Sequence, residues 1–552
     1  MNRSHAHIGR AAAVCASLAA ILLASACGQA AGGNAQSADA GTPVKGGTLR
    51  IAQPTDTVGC IDPFQTGITT TRTLQRNIVE SLLDQDPKTG EIKPWLAKDY
   101  TASADGKTYT LHLKSGITFS DGEKFDADAV VKNFEDHLDP SHPVSTGNQS
   151  LTGLESVTKT DDSTVEFHLS APNSSFLQTL TTTNLGIVSP KYLADVPFQQ
   201  RCAAGKVVGT GPFTLEKFDT RTKTVLVRRD GYNSPSPFST LKGDAYLDKI
   251  EVSYVPEKSV QIGSLNGGQI DVIWPSNEDS FDENDSAQIK QAGNSIQSRS
   301  VPGTSSILYP NVRYDGPLSD PKVLQAFSLG IDRKTYAETV LRSGYPVVQG
   351  IIDKTTPGFQ ANADAVKYDA KKAATLLDQA GWKKGDDGYR HKDGKKLTVH
   401  YITTKSSTGD VLLQDQLKKV GIDYQIDVLT QSEVASRTAS GDYDLAKVTF
   451  TRADPAAMAV VDNLPSQWAP DAKNNKTDAQ AKELKALFDK AVATSSESEK
   501  TTSYQEIQKY IEDNRLVIPI YERTQDAAVA AKVHGLRFTA DSFGDFSGVW
   551  LG

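Results

Sequence analysis

The sequence contains little cysteine, with four in 552 residues, and none of these forms a Cys-x-x-Cys pair. Their spacing argues against the zinc and redox sites that are built from such pairs. Cys15 and Cys27 lie near the N-terminus, which leaves only Cys60 and Cys202 in the body of the chain. In an oxidising compartment such an isolated pair favours a disulfide, and two separate buried thiols are the alternative. We therefore predict a disulfide between them.

Common catalytic motifs are missing as well. The sequence has no Gly-x-Ser-x-Gly elbow, no phosphate-binding loop and no His-Glu-x-x-His. A lone Gly209-Thr210-Gly211 is followed by Pro212, which suits a tight bend better than a phosphate cradle. His137 and His142 come close together around Asp139-Pro140, where a solvated turn is favoured over a metal site. We predict no enzymatic activity, no cofactor and no metal.

An excess of positive charge and long hydrophobic runs are also absent. The formal net charge is −8, from 59 Lys and Arg against 67 Asp and Glu. Nucleic-acid binding calls for a basic stripe, so this balance argues against it. The longest apolar run, residues 11–23, is shorter than the ~20 residues that a membrane-spanning helix needs. At about 150 residues per domain, a chain of 552 residues favours three or four structural units.

The N-terminus has the anatomy of a secretory signal peptide. Arg3 and Arg10 precede or flank the apolar run, and Ala24-Ser25-Ala26 leads into Cys27. The pattern resembles a bacterial lipobox, although Ala24 stands where leucine is usual, and an ordinary secretory signal is the alternative. We predict a signal peptide over 1–26, lipidation of Cys27 and a flexible tether over 27–45. This would place the protein on the extracytoplasmic face of the cell membrane.

Strand and helix patterns alternate through the rest of the chain. Apolar residues at every second position predict strands, and apolar residues at helical spacing predict helices. In chain order these are strand 109–113, helix 127–138, strand 165–169, helix 370–380, strand 397–403, helix 411–420 and strand 422–428. The last three form a strand–helix–strand unit, which predicts a parallel crossover. The fold class is α/β.

Short motifs follow one another in a fixed order. Examples are Pro94-Trp95-Leu96-Ala97 and Val208-Gly209-Thr210-Gly211-Pro212-Phe213. Others occupy residues 77–83, 105–109, 113–122, 126–130, 268–272, 326–333, 368–382 and 517–521. The succession resembles family 5 of the extracytoplasmic solute-binding proteins of bacterial ABC importers, the peptide and nickel binders. The resemblance extends from about Gly46 to the C-terminus.

The resemblance implies a periplasmic-binding-protein-like fold of two lobes joined by a hinge, with an extra subdomain on lobe I. Lobe I would comprise residues 44–85, 200–302 and 519–552, the extra subdomain 86–199, and lobe II 303–518. The chain would cross between lobes near Val301-Pro302-Gly303 and return near Ile518-Pro519. The solute would lie in the cleft between the lobes.

The resemblance also implies a function. We expect a monomeric receptor that captures di- or oligopeptides, or a solute of similar size, and delivers it to a membrane permease driven by cytoplasmic ATPases. The expected cleft segments are 54–64, 274–278, 308–313, 450–454 and 521–523. The ligand-binding residues expected within them are Asp62, Phe64, Trp274, Asn277, Tyr309, Asn311, Arg452 and Asp454.

One departure from the family pattern concerns the peptide's N-terminal ammonium, which an aspartate binds in family peptide receptors. Here that position falls near Thr451, with Arg452 beside it. A hydroxyl cannot pair a buried ammonium, and a guanidinium repels it. Two hypotheses follow: Asp454 takes the role through a register shift, or the solute carries an acidic or neutral group that suits Arg452.

Other cargoes and classes remain as alternatives. The same fold could bind an oligosaccharide, an opine-like conjugate or a metal chelate. Sugar binding needs aromatic rings in the cleft, for which Trp274, Tyr309 and Trp468 are the candidates. A lipid-anchored hydrolase is disfavoured because no nucleophile–base constellation is evident. A sensory lipoprotein without a transporter is a further alternative.

Overall fold

The computed structural model describes residues 41–54, 59–142, 151–219, 221–276, 281–312, 316–462, 475–494 and 496–552, with the side chains of 462 and 475–478 left out. The predicted signal peptide, Cys27, most of the tether, Asn277 and Trp468 lie outside the described residues. Residues Thr42–Gly552 form one unit.

The largest sheet has seven strands and is called here the large sheet. In spatial order its strands are Ser295–Ser300, Thr524–Val529, Val272–Ile273, Thr48–Gln53, Lys249–Tyr254, Lys223–Arg228 and Phe213–Asp219. The central strand Thr48–Gln53 runs parallel to both of its neighbours. Its residues Leu49, Ile51 and Ala52 are fully buried, as expected for a strand covered on both faces.

A second sheet of five strands, the small sheet, lies farther along the chain. Its spatial order is Asp423–Val428, Thr398–Thr403, Leu445–Val448, Ser306–Pro310 and Ile518–Tyr521. The first two strands pair in parallel and are joined by the helix Thr408–Val420, which confirms the predicted crossover unit. The helix begins three residues before the predicted start because Ser407 and Asp410 form a capping box.

A third, four-stranded antiparallel sheet precedes the small sheet in sequence. Its spatial order is Ala97–Ala102, Thr108–Leu113, Thr164–Leu169 and Leu154–Asp161. The helix Ala127–Leu138 packs against it, and the Asp126 side chain accepts a hydrogen bond from the Ala129 N–H, which confirms the predicted cap. Phe134 and Phe167 meet edge to face with ring centroids 4.8 Å apart, at the centre of a separate hydrophobic core.

The remaining elements connect and cover these sheets. Short strands form the three-stranded sheet Lys383–Lys384, Arg390–Lys392 and Lys395–Lys396, and the pairs Leu83–Gln85 with Ile92–Pro94, Val533–His534 with Trp550–Leu551, and Arg537–Phe538 with Gly544–Asp545. Among the described residues, the other α-helices are Thr69–Gln75, Phe176–Thr179, Pro190–Asp195, Phe198–Ala204, Lys258–Asn266, Glu283–Gln291, Pro321–Leu329, Arg333–Tyr336, Ala370–Gln379, Gln431–Ser440, Ala459–Asp462, Asn475–Val492 and Glu497–Asp513. Single turns of 3₁₀ helix occur at Thr183–Leu185, Pro317–Ser319 and Pro455–Met458, and a π-helical turn at Ala337–Leu341.

The chain passes between the large and small sheets twice. It leaves the large sheet after Ser300 and enters the small sheet at Ser306, close to the expected first crossing. On the way back, strand Ile518–Tyr521, which contains Pro519, still pairs with Ser306–Pro310 in the small sheet, and the chain enters the large sheet at Thr524. The proline is tolerated because this strand is at the edge of the sheet.

The Gly209-Thr210-Gly211 segment has a steric role. A Cβ on Gly209 would lie 2.2 Å from the Ile78 carbonyl oxygen, and a Cβ on Gly211 would lie 2.6 Å from the same atom. The Gly211 N–H donates to that oxygen over 2.9 Å. Both glycines are therefore required by a close backbone approach, and the segment forms no phosphate cradle.

Cys60 and Cys202 are joined in a disulfide, with their Cα atoms 4.3 Å apart although they are 142 positions apart in sequence. Cys60 is buried just before the helix Thr69–Gln75, and Cys202 lies in the helix Phe198–Ala204. The bond thus ties the segment that follows the first strand of the large sheet to a helix much farther along the chain.

Glu80 carries a carboxylate that is fully buried. It accepts hydrogen bonds from the Tyr232 hydroxyl over 2.5 Å and from the Ser234 hydroxyl over 2.7 Å. Burial raises the pKa of Glu80 to about 7, although these hydrogen bonds and the charge of Arg229 oppose the shift. The folded protein therefore keeps a proton on Glu80 at pH values where the unfolded chain has lost it.

We expect stability to fall as the pH rises from about 4.5 to about 7, since the folded state binds more protons over this range. Glu80 alone should account for about 3 kcal/mol of this loss. Glu80→Gln cannot ionise, so the difference in unfolding free energy between pH 5 and pH 7.5 should shrink by about that amount in urea titrations. Tyr232→Phe removes a donor to the carboxylate and should move the transition to higher pH. An unchanged slope in Glu80→Gln would contradict this assignment.

Candidate functional site

A cavity of about 480 Å³ lies between the part of the chain that forms the large sheet and the part that forms the small sheet. This volume is within the range usual for small-molecule sites. Its lining residues are Gly67, Ile68, Thr69, Arg72, Thr182, Asn184, Ser276, Thr449, Phe450, Thr451, Arg452, Arg523 and Asp541. They come from distant positions, so folding of the whole body is needed to build the cavity.

Each wall of the cavity is positioned by a regular element. On one side, Thr69 and Arg72 belong to the helix Thr69–Gln75, which follows the first strand of the large sheet. On the other side, residues 449–452 follow the strand Leu445–Val448 of the small sheet. A helix on one side and the loop after a strand on the other therefore supply these two walls of the cavity.

Arg452 joins the two sides of the cavity. Its Nε donates to Gln178 Oε1 over 2.8 Å, and its Nη2 donates to Thr179 Oγ1 over 2.9 Å. Both acceptors belong to the short helix Phe176–Thr179, which follows the strand Thr164–Leu169 of the four-stranded sheet. Arg452 was expected to contact ligand, and it does line the cavity, but these protein groups occupy two of its donors.

A second cavity of about 610 Å³ shares Phe450 and Arg452 with the first. Its wall is more apolar and includes Ala456, Ala459, Val460, Val492 and Tyr504. The Phe450 side chain is 39% exposed, which is unusual for a phenylalanine and leaves its ring accessible in this region. The two cavities therefore adjoin at Phe450 and Arg452.

Arg523 lines the cavity and holds neighbouring backbone segments in place through hydrogen bonds. Its guanidinium donates to the carbonyl oxygens of Thr304, Pro302 and Phe450, and to the Thr451 hydroxyl over 2.8 Å. It thereby links the return crossing to the first crossing and to the segment after Leu445–Val448. The side chain is 1% exposed, so these bonds fix the backbone where the chain passes between sheets.

Asp454 is buried in an ion pair and does not line either cavity. Its Oδ2 atom lies 2.8 Å from Lys500 Nζ, and its Oδ1 atom accepts hydrogen bonds from Ser175 and from the Ala456 N–H. Burial by itself would raise the pKa of Asp454, but the charges of Lys500 and Arg452 hold it below its usual value. In this structure Lys500 supplies the cation that faces the Asp454 carboxylate.

Trp274, Phe64 and Asp62 were expected in the cleft, and the structure places them in the core. The Trp274 ring is 1% exposed and packs against Phe538 and Phe546, at centroid distances of 5.4 and 5.8 Å. Phe64 is fully buried against His137. Asp62 is fully buried and accepts a hydrogen bond from the Gln65 amide, and burial raises the pKa of Asp62 to about 6.

Tyr309 and Asn311 are also interior residues. Tyr309 is 6% exposed and meets Tyr443 with ring centroids 5.8 Å apart. Asn311 uses its amide nitrogen to bond the carbonyl oxygens of Gly441 and Tyr443 over 2.8 and 2.9 Å. Tyr309 lies in the strand Ser306–Pro310 and Asn311 follows it directly, and neither side chain lines the two cavities. Asn277 lies outside the described residues.

The residues that do line the cavity were mostly missed by sequence reasoning. The expected segments contain Ser276, Phe450, Thr451, Arg452 and Arg523. Arg72 and Asp541 were not anticipated. No local pattern marks Arg72, since an arginine in a threonine-rich turn is usually solvated. Its burial comes from contacts such as the Phe543 ring, whose centroid lies 5.7 Å from the guanidinium carbon.

The described part of the chain contains no group of three or more His, Cys, Asp or Glu side chains that could hold a metal ion. His137 is buried against Phe64, and not in the solvated turn that the sequence suggested. Within the same residues, no helix has both the length and the hydropathy to cross a membrane.

The model of one protein family matches residues 91–471, more than half of the chain. That family is described as bacterial extracellular solute-binding proteins, family 5. The chain belongs to this family. The resemblance stated from the sequence motifs is thereby confirmed, and a cavity between two sheet-forming regions is the arrangement in which such a protein would enclose a solute.

Solved structures confirm the two-lobed α/β fold of this family 5 protein. NikA from Brucella suis, in complex with Fe(III)-EDTA, superposes with a TM-score of 0.79 at 22% identity, over 92% of this chain and 100% of that one. DppA from Helicobacter pylori, in complex with the peptide STSA, gives a TM-score of 0.72 at 25% identity, over 92% and 98%. Among curated relatives, the dipeptide-binding protein of Escherichia coli (strain K12) is 27% identical over 470 residues, covering 81% of this chain and 84% of the relative.

Proposed function

We propose that this family 5 protein is the solute-binding receptor of an ABC importer and encloses its solute in the 480 Å³ cavity. The observation that carries the proposal is the origin of the cavity walls. One wall comes from residues that follow strands of the large sheet, and the other from residues 449–452, which follow a strand of the small sheet. A solute held between them would favour the closed arrangement over an open one.

We propose the lobes as follows. Lobe I comprises 44–85, 200–302 and the chain from 522 onward, the extra subdomain comprises 86–199, and lobe II comprises 303–521. The strand membership supports this division, since each of the three sheets falls within one of these parts. Two short crossings permit a hinge rotation through small changes of φ and ψ, while each lobe keeps its own core.

The cargo that we propose is a di- or oligopeptide or a solute of similar size. Two relatives support it: one is a dipeptide-binding protein and the other was solved in complex with the peptide STSA. A metal chelate is the second candidate, since the NikA structure holds Fe(III)-EDTA. An oligosaccharide gains little support, because Trp274 and Tyr309 pack in the interior. An opine-like conjugate remains compatible with the cavity.

We further propose that the protein acts as a monomer, catalyses no reaction and delivers its solute to a membrane permease with cytoplasmic ATPases. Lipidation at Cys27 would confine the receptor to the membrane that holds the permease. Such tethering raises the effective concentration of the docking partner without any new contact. Genes for two permeases and for ATPases beside the gene of this protein would support import over sensing. A hydrolase would instead convert its bound substrate to product, which a binding protein does not do.

The proposal is tested by thermal unfolding of the full chain with peptide pools, sugars and metal chelates. A ligand at 100 times its Kd stabilises a protein by about 2.7 kcal/mol, which for a chain of this size raises Tm by about 2.5 °C. We expect this rise with a peptide pool. Thr449→Trp places a large ring on the cavity wall and should abolish the rise.

The control is Thr101→Trp, at an exposed position on the strand Ala97–Ala102 far from the cavity wall. It should retain the ligand-dependent rise in Tm. If sugars but not peptides stabilise the protein, the peptide cargo is wrong. If Thr449→Trp folds and keeps the full response, the solute does not bind in this cavity. Mass spectrometry of protein purified from its native host would then identify the solute directly.

A further inference from the structure

Three arginines line the first cavity, and they differ in their hydrogen bonds. Arg452 donates to Gln178 and Thr179, and Arg523 donates to backbone carbonyl oxygens and Thr451. Arg72 differs from both. Its Nε atom is buried without a hydrogen-bond partner, and none of the ion pairs within 4.0 Å in the described residues includes it. The side chain is only 9% exposed.

The surroundings of Arg72 compensate its charge only in part. One face of the guanidinium lies over the Phe543 ring. The negative charge of Asp541 attracts the Arg72 guanidinium, but the two side chains form no ion pair within 4.0 Å. Asp541 also accepts a hydrogen bond from the Ala453 N–H. Burial lowers the pKa of Arg72 to about 10, so it remains a cation at neutral pH. A buried cation with an unsatisfied donor is costly unless an anion compensates its charge.

The position of the unsatisfied cation points to the ligand. A guanidinium presents parallel N–H groups that match the two oxygens of a carboxylate. The exposed Phe450 ring on the opposite wall offers an apolar surface beside it. We propose that Arg72 binds a carboxylate of the solute, and that an apolar group of the same solute packs against Phe450 toward the second cavity. This inference rests on the proposed function, and it names the class of solute that the cavity takes.

The test uses two peptide pools of identical sequences, from two to five residues long and ending in apolar residues. One pool has free C-terminal carboxylates and the other has C-terminal amides. In isothermal titration of the best-responding pair, we expect the carboxylate form to bind wild type at least 10-fold more tightly than the amide. Arg72→Gln should lose at least 10-fold in affinity for the carboxylate and change little toward the amide. Arg72→Lys, which keeps the charge without the planar fork, should lie between the two.

The matched control is Arg221→Gln, the same change at an exposed arginine outside the cavity. It should bind both forms as wild type does. Unliganded stability supplies a readout that does not depend on the probe. Because no hydrogen bond or ion pair among the described residues compensates the buried Arg72 guanidinium, unliganded Arg72→Gln should unfold at a Tm equal to or above that of wild type. A lower Tm would show that Arg72 is stabilised by the protein itself and would overturn the inference.

The remaining outcomes are equally decisive. If wild type binds both forms equally, or if Arg72→Gln keeps the preference for the carboxylate, the inference is wrong while the proposed receptor function stands. If neither pool binds but another solute class does, the peptide cargo and the carboxylate assignment both fail. If no solute of any class binds, the receptor function fails as well.

Discussion

The double variant Cys60→Ala/Cys202→Ala is expected to unfold with a free energy about 5 kcal/mol lower than that of wild type. The bond closes a loop between residues 142 positions apart, and releasing it restores conformational freedom mainly to the unfolded chain. For a chain of this size the loss corresponds to a fall in Tm of about 5 °C. Urea titration and thermal unfolding under non-reducing conditions measure both quantities.

Wild type treated with a thiol reductant is the control for side effects of the substitutions. It should lose as much stability as the double variant, and the double variant should not respond to the reductant. The bond also fixes the segment that leads to Thr69 and Arg72 in the cavity wall. If the double variant unfolds at the Tm of wild type, the bond does not constrain the unfolded chain as proposed.

Lys500→Met is expected to lower the unfolding free energy by about 3–5 kcal/mol, the usual effect of removing one partner of a buried ion pair. Lys500 and Asp454 are 7% and 2% exposed, so the substitution leaves a carboxylate uncompensated in the interior. The Ser175 hydroxyl and the Ala456 N–H would remain as its partners. Urea titration at pH 7 measures the loss.

Lys490→Met is the matched control, because Lys490 forms an exposed ion pair with Glu506 on the neighbouring helix. Exposed pairs contribute about 0–1 kcal/mol, so little loss is expected there. Ligand affinity separates the two roles considered for Asp454. A folded Lys500→Met that binds the best peptide within 3-fold of wild type agrees with a structural pair. Unchanged stability together with tighter binding of free-amine peptides would instead make Asp454 the ammonium acceptor.

Local structure was largely predictable from the sequence. Strands Thr108–Leu113 and Thr164–Leu169 follow the alternation of apolar residues, and the helix Ala370–Gln379 begins at its expected cap, Asp369. These elements depend on near neighbours in sequence, which is where periodicity and capping act. Pro519 lies within the strand Ile518–Tyr521, which can accommodate a proline because it is at the edge of the small sheet.

The candidate site was much less predictable. The family resemblance indicated segments, and the segments did contain Phe450, Arg452 and Arg523. It could not say which side chains within a segment face the cavity, since this depends on partners far along the chain. Trp274 is covered by Phe538 and Phe546, more than 250 positions away. Asp454 is neutralised by Lys500, from a helix that follows it by 46 residues.

Arg72 is the converse case, a residue that lines the cavity although the sequence did not indicate it. Its sequence neighbours are polar, and its burial arises only when the segment around Asp541 and Phe543 folds over the helix Thr69–Gln75. A sequence pattern reports the periodicity of one element, while an unsatisfied donor is a property of the assembled cavity. The residue with the clearest implication for the solute was therefore visible only in three dimensions.

The most direct test is the crystal structure of the full chain with the solute that it carries when purified from its native host. We predict difference density for that solute in the cavity between the two sheet-forming regions, with a carboxylate against Arg72 and an apolar group against Phe450. Density confined to another site, such as the open surface pocket lined by Lys124 and Lys132, with this cavity empty, would contradict a receptor that encloses its solute between two lobes.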